Sequence, residues 1–289
     1  MRLFYHPIFI LMLLAIQPCC SQKQAGKADS KRKLTKQDSV NVSRYFDVID
    51  VAPLFSIKRQ QYLDSVLIIL PWNSQLWQQK AMPLFKQKKY ELGMVYIDSA
   101  VKYDKSQHWL EYRAFIKCIF QKSYRAAIID FNLAQKMVGN SVVMDHSYEF
   151  YKGLCYLQLN QIDSAEYLIK KCIAEERKAR GEEWIHHLHW FYMGVVQYEK
   201  ENYKNAVESF DQALKLYPQF SDAQYYKALC LADLNDKKAS LDMLLAARVN
   251  LKNGFTINED NAIYESYPYQ INKFYLDGYI EYLQQEKGN

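Results

Sequence analysis

The run Glu182-Glu183-Trp184-Ile185-His186-His187-Leu188-His189 holds the densest set of metal-capable side chains in the chain. On a helix, Glu182 would share a face with His186, and Glu183 with His187. At that spacing a carboxylate and an imidazole reach one divalent ion, which would allow a metal-dependent enzyme built on His186 and His187. However, adjacent histidines on a helix point apart, and His189 points in a third direction. The order of residues also differs from the zinc-protease signature. The run is therefore expected to be surface leading into a helical unit, with no metal or cofactor assigned.

The chain has six cysteines. Cys118, Cys155, Cys172 and Cys230 are too far apart for a zinc ribbon or a redox Cys-x-x-Cys. They are expected as reduced thiols that pack like small apolar residues. There is no Gly-rich phosphate loop and no Gly-x-Ser-x-Gly elbow. No catalytic residue is assigned, and an enzyme is not expected.

Such residues need elements to hold them, and composition bounds those elements. The 289 residues are 49% hydrophobic and 24% charged, enough for one large packed unit or a repeat array. Only 9 Gly and 7 Pro stand against 24 Tyr, which favours helices over loop-rich sandwiches or barrels. A net charge of +5 gives no case for nucleic acid.

The N-terminus reads as an address. Arg2 precedes an apolar run, Ile8 to Ile16, too short to span a bilayer. The run ends at Gln17-Pro18-Cys19-Cys20-Ser21. An apolar run closing on cysteine resembles a bacterial lipoprotein signal, in which the cysteine is lipidated and becomes the first mature residue. The resemblance implies lipid on Cys20, with Cys19 as the alternative. Pro18 is a poor neighbour for a cut at Cys19, and Gln17 departs from the usual aliphatic residue. An ordinary cleaved secretory signal is the competing reading. Residues 1–20 are thus assigned as signal peptide, and 21–39 as a disordered tether rich in Lys and Arg. The implied location is the cell envelope, as an outer-membrane lipoprotein facing periplasm or surface.

From Ser74 the chain repeats itself. Blocks of 34 residues start at Ser74, His108, His146, His187 and Ser221, spanning 74–107, 108–141, 146–179, 187–220 and 221–254. The clearest block places Trp190, Gly194, Tyr203, Ala206, Phe210, Ala213 and Pro218 in register. The others repeat the small residues, as in Ala100, Ala127, Ala134, Gly153 and Ala165. Small side chains recur where helices cross closely, and large ones fill the gaps. This pattern strongly resembles the tetratricopeptide repeat, a helix–turn–helix unit. The resemblance implies an all-α solenoid. A degenerate leading repeat covers 40–73, so the array covers 40–254. Four extra residues precede the third block and seven precede the fourth, the latter lengthening a helix. Pro83 should kink its helix. Residues 255–289 form a Tyr-rich cap, with a final amphipathic helix from Ile271 to Gln285 hiding the last apolar face.

In the family, the first helices of the repeats line a concave face. The resemblance places Trp109, Tyr112, Ile116, Phe150, Leu154, Phe191, Val195, Tyr198, Tyr225 and Leu229 in that partner groove. The Lys, Arg and Asn of the family's carboxylate clamp are missing from it. An open apolar groove is costly in water, so something should cover it. Two occupants are open: an apolar segment or amphipathic helix of a protein partner, or the chain's own tail, including Tyr264, Tyr267 and Tyr269. The function expected is a non-enzymatic adaptor at the envelope. The alternative is a receptor for a small apolar ligand or lipid.

Overall fold

The computed structural model describes residues 32–286. The residues assigned to a signal peptide, with Cys19 and Cys20, and most of those assigned to a tether lie outside the described residues. Among these there are thirteen α-helices and one two-stranded ribbon.

The helices pair in chain order: α1 (Lys36–Val51) with α2 (Ile57–Ile69), α3 (Ser74–Lys86) with α4 (Tyr90–Tyr103), and α5 (His108–Ile119) with α6 (Tyr124–Val138). Then α7 (Tyr148–Gln158) pairs with α8 (Ile162–Arg180), α9 (His187–Glu199) with α10 (Tyr203–Leu216), and α11 (Ser221–Asp233) with α12 (Lys237–Lys252). Each second helix also packs on the first helix of the next pair, and α13 (Lys273–Glu286) packs on α12. This is an all-α solenoid of tetratricopeptide type.

The frame is visible in the turns. Lys88, Lys122, Asn160, Glu201 and Asn235 all adopt left-handed backbone, with φ between 55° and 66°. Each is the fifteenth residue of its block. One left-handed residue between paired helices reverses the chain and lets amide groups bond the last carbonyls of the first helix. Packing follows the same frame. Ala206, Ala213, Ala127, Ala134 and Ala165 are fully buried. At Gly194 a Cβ would stand 2.5 Å from the Phe210 ring, so only hydrogen fits at that crossing. Ser240 occupies an alanine column and satisfies its hydroxyl by donating to the Ala228 carbonyl at 2.7 Å.

The structure departs from the sequence reading in several places. The tether expected to continue to residue 39 ends earlier, because helix α1 already starts at Lys36. Thr35 caps it, Asp38 returns the bond to the Thr35 amide, and Arg32 pairs with Asp38 at 2.9 Å. Pro83 lies in the last turn of α3, which runs on to Lys86.

The insertions build the site. The four extra residues before the third block make a hairpin that pairs Val143 with His146. Met144 and Asp145 both have positive φ, the signature of a tight two-residue reversal. The seven before the fourth are shared between the long α8, Gly181 at φ 105°, a short 3-10 turn (Glu182–Trp184) and the cap of α9.

Candidate functional site: a concave face filled by its own tail

Eight of the ten groove residues come together in or against one core, but not as an open surface, while Tyr225 packs against a second core that includes α13. Ile116, Phe150, Leu154, Phe191 and Val195 are at most 1% exposed, and Leu229 is buried. Trp109, Tyr112, Tyr198 and Tyr225 are half-buried at the margins. Of the two occupants considered from the sequence, the chain's own tail is the one seated there. Ile257 and Tyr267 belong to the main core, and Ala262, Tyr264 and Tyr269 pack against it.

Residues 256–271 form an out-and-back loop. Both ends are held by Asp222, which is fully buried. Its carboxylate accepts from the Thr256 hydroxyl at 2.7 Å, the Ile257 amide at 3.1 Å and the Ile271 amide at 2.8 Å. Burial pushes the Asp222 carboxyl up to about 6, against the pull of those hydrogen bonds. At the far end, the loop reaches the first repeat. Lys86 lies over the Tyr264 ring at 4.4 Å, Lys88 pairs with Glu265 at 3.6 Å, and the Tyr90 hydroxyl donates to Glu265. On the return, Lys122 donates to the Ser266 carbonyl, Tyr192 to the Pro268 carbonyl, and Tyr269 to Glu199.

The contacts reveal residues that the sequence reading missed. Tyr151, Tyr192 and Tyr226 occupy the sixth position of three successive blocks. Tyr151 and Tyr192 are fully buried, and burial raises both phenols well above their ordinary value. Tyrosine recurring in one column was a readable signal that the position faces something.

A histidine cluster sits where the loop crosses the third and fourth repeats. The histidine run was expected on the surface, but His189 is 3% exposed and His186 and His187 are half-buried. The helical pairs Glu182/His186 and Glu183/His187 do not form, because His186 is the cap of α9 rather than part of a continuous helix. Glu182 instead pairs with Arg177.

Other partners gather around these histidines. His146 Nε2 lies 3.1 Å from Glu259 Oε1 on the tail, and His189 Nδ1 lies 2.8 Å from Glu176 Oε2. The His146 ring centre is 5.0 Å from that of His186 and 5.7 Å from that of His189. Burial, reinforced by the neighbouring imidazoles, drives His186 down to about 2. It drives His187 down to about 4, despite Glu259 and Asn258. Burial raises Glu176, but its bonds from His189 and the His186 amide outweigh this and leave it below its usual range. Burial lowers His189 as well, so His186, His187 and His189 are neutral imidazoles at physiological pH, a state that presents lone pairs rather than charge.

Cys118, Cys155, Cys172 and Cys230 are free and buried. Pockets of 420–440 Å³ lie on the outer surface, one lined by Lys152, Tyr156 and Asp163 and another by Lys273, Phe274 and Asp277. Neither is lined by a groove residue.

Comparison with known proteins agrees with this geometry. The family model described as tetratricopeptide repeat matches residues 193–253. No curated protein matches the chain. A tetratricopeptide repeat protein from Parabacteroides merdae is similar at 14% identity and a TM-score of 0.58, covering 86% of this chain and all of that one. PilW, a type IV pilus biogenesis factor, is similar at 11% identity and a TM-score of 0.57, covering 76% of this chain and 96% of its own. Yeast Tom70 is similar at 13% identity and a TM-score of 0.54, covering 86% of this chain and 47% of Tom70. At these identities the likeness shows the fold.

Proposed function

We propose that the chain is a non-enzymatic protein-binding scaffold at the cell envelope, and that its concave face recognises an extended, Tyr-rich polypeptide. The observation behind this reading is that the face already holds such a segment. Tyr192 bonds a main-chain carbonyl of the tail, and Ile257 and Tyr267 enter the core. Main-chain bonds with side-chain pockets are the usual means of holding an extended peptide. A partner segment of the same chemistry would compete with residues 256–271. The envelope assignment rests on the apolar run and Cys19-Cys20, and the scaffold class on the repeat fold alone. A small apolar ligand has less support, since the apolar columns are covered by protein.

The test is photo-crosslinking in cells from Tyr112 and Tyr225, at the half-buried margin. It is run in the unmodified chain and in Tyr192→Phe, which loosens the tail. A partner band that strengthens in Tyr192→Phe supports competition for the face. Crosslinks confined to residues 256–271 in both would overturn it.

A further inference from the structure

We propose that His146, His186 and Glu259 form a site for a borderline divalent metal of the zinc class, which staples the tail to the repeat array. Each residue offers one ligand atom, and these atoms lie within 4.8 Å of one another. His146 comes from the hairpin before α7, His186 from the cap of α9, and Glu259 from the tail loop. Two imidazoles and one carboxylate are a donor set that zinc and its neighbours take, whereas calcium and magnesium prefer oxygen alone.

A second observation points the same way. His189 Nε2 and His187 Nε2 are buried without a hydrogen-bond partner. An unmet buried polar nitrogen is costly, and two beside one cluster ask for a common solution. Glu176 on His189 Nδ1 fixes that ring with its lone pair on Nε2, the arrangement that carboxylates impose on metal-bound imidazoles. His189 stands outside the three-ligand set, its ring centre 6.1 Å from that of His186, where its free Nε2 can accept from a metal-bound water.

Coordination rearranges two protons. His146 binds through Nε2 as the neutral imidazole with its one proton on Nδ1, so the 3.1 Å contact between Nε2 and Glu259 is replaced by a shared metal. If His186 binds through Nε2, its Nδ1 is protonated and the 3.3 Å bond from the Leu188 amide is given up. Two ligands belong to the array and one to the tail, so the metal would make docking of residues 256–271 metal-dependent.

The experiment titrates the chelator-treated full chain with zinc(II) by calorimetry, and with cobalt(II) by its visible absorption. Hydrogen exchange of residues 256–271 is followed in parallel. One ion per chain is expected, with slower exchange of the tail. Glu259→Gln should weaken affinity by about tenfold or more and abolish the slowing. His146→Ala should abolish binding, and His108→Ala, a distant exposed histidine, should change neither. Should His146→Ala fail to fold, Glu259→Gln carries the test, because it alters only the loop. No binding by the folded unmodified chain would overturn the site, as would binding that Glu259→Gln leaves unchanged.

Discussion

The Tyr192 hydroxyl donates a 2.9 Å hydrogen bond to the carbonyl of Pro268, 76 residues further along the chain. Both residues are buried, so neither group has water to fall back on. Tyr192→Phe keeps the ring and leaves the carbonyl unpaired, at about 1–2 kcal/mol. Amide exchange across residues 256–271 should quicken while exchange in α3 and α4 stays as it was. Unchanged exchange in the loop would show that this bond does not hold it.

Asp222 makes docking of the loop pH-dependent. Its folded carboxyl titrates at about 6, while an unfolded aspartate titrates at about 3.9. The folded state thus holds the proton more tightly. The stability this contributes is present below about pH 4 and lost as pH rises through about 6, in total about 2–3 kcal/mol. Asp222→Asn should remove that slope. Urea melts at about pH 4 and about pH 7, compared between the two proteins, give the difference.

Two glycines in the same column should respond differently to a methyl group. At Gly194 a Cβ would meet three Phe210 ring atoms at 2.5 to 2.8 Å, and that ring is fully buried. At Gly153 the nearest atom is Ile169 Cγ1 at 3.1 Å, a side chain that has rotamers to yield. Gly194→Ala should cost about 1–3 kcal/mol, with Gly153→Ala milder because helix propensity offsets the crowding. Thermal melts of equal midpoint would contradict the crossing geometry.

The Cys118 and Cys155 sulfurs lie 3.5 Å apart between α5 and α7. Burial raises the Cys155 thiol well above its ordinary value, so the reactive thiolate is scarce. Protein purified without reductant should retain all four buried thiols by intact mass after alkylation in denaturant. A product that lacks two of the four alkyl groups would show that this pair closes.

At the N-terminus, changing Cys19 and Cys20 together to Ser should release the protein from the membrane fraction and end labelling with a fatty-acid analogue. Persistent labelling would refute the lipoprotein assignment.

The repeat frame was legible because each close helix crossing demands a small residue at a fixed interval. Gly194 and Ala206 are readable without coordinates for that reason. The early start of α1 was also written in the sequence, as Thr35 three residues before Asp38, but the surrounding lysines masked it. The loop was not legible in the same way. Residues 256–271 have no period, and their partners, such as Tyr90 and Asp222, are chosen by shape and by unmet hydrogen bonds. The histidine cluster was hidden for a related reason. His146 and Glu259 are 113 residues apart, and no spacing rule connects them.

The bond between Tyr90 and Glu265 spans 175 residues. Stacked repeats ordinarily touch only their neighbours, so they melt piecewise from an end. Here the loop carries contacts from α11 back to the turn between α3 and α4, so the pairs between them do not fray independently of one another. Unfolding should therefore follow a single transition shared by every pair from α3 to α12. Long-range closure must also await the assembled array, which makes the last step of folding slower than a stack of local hairpins would suggest.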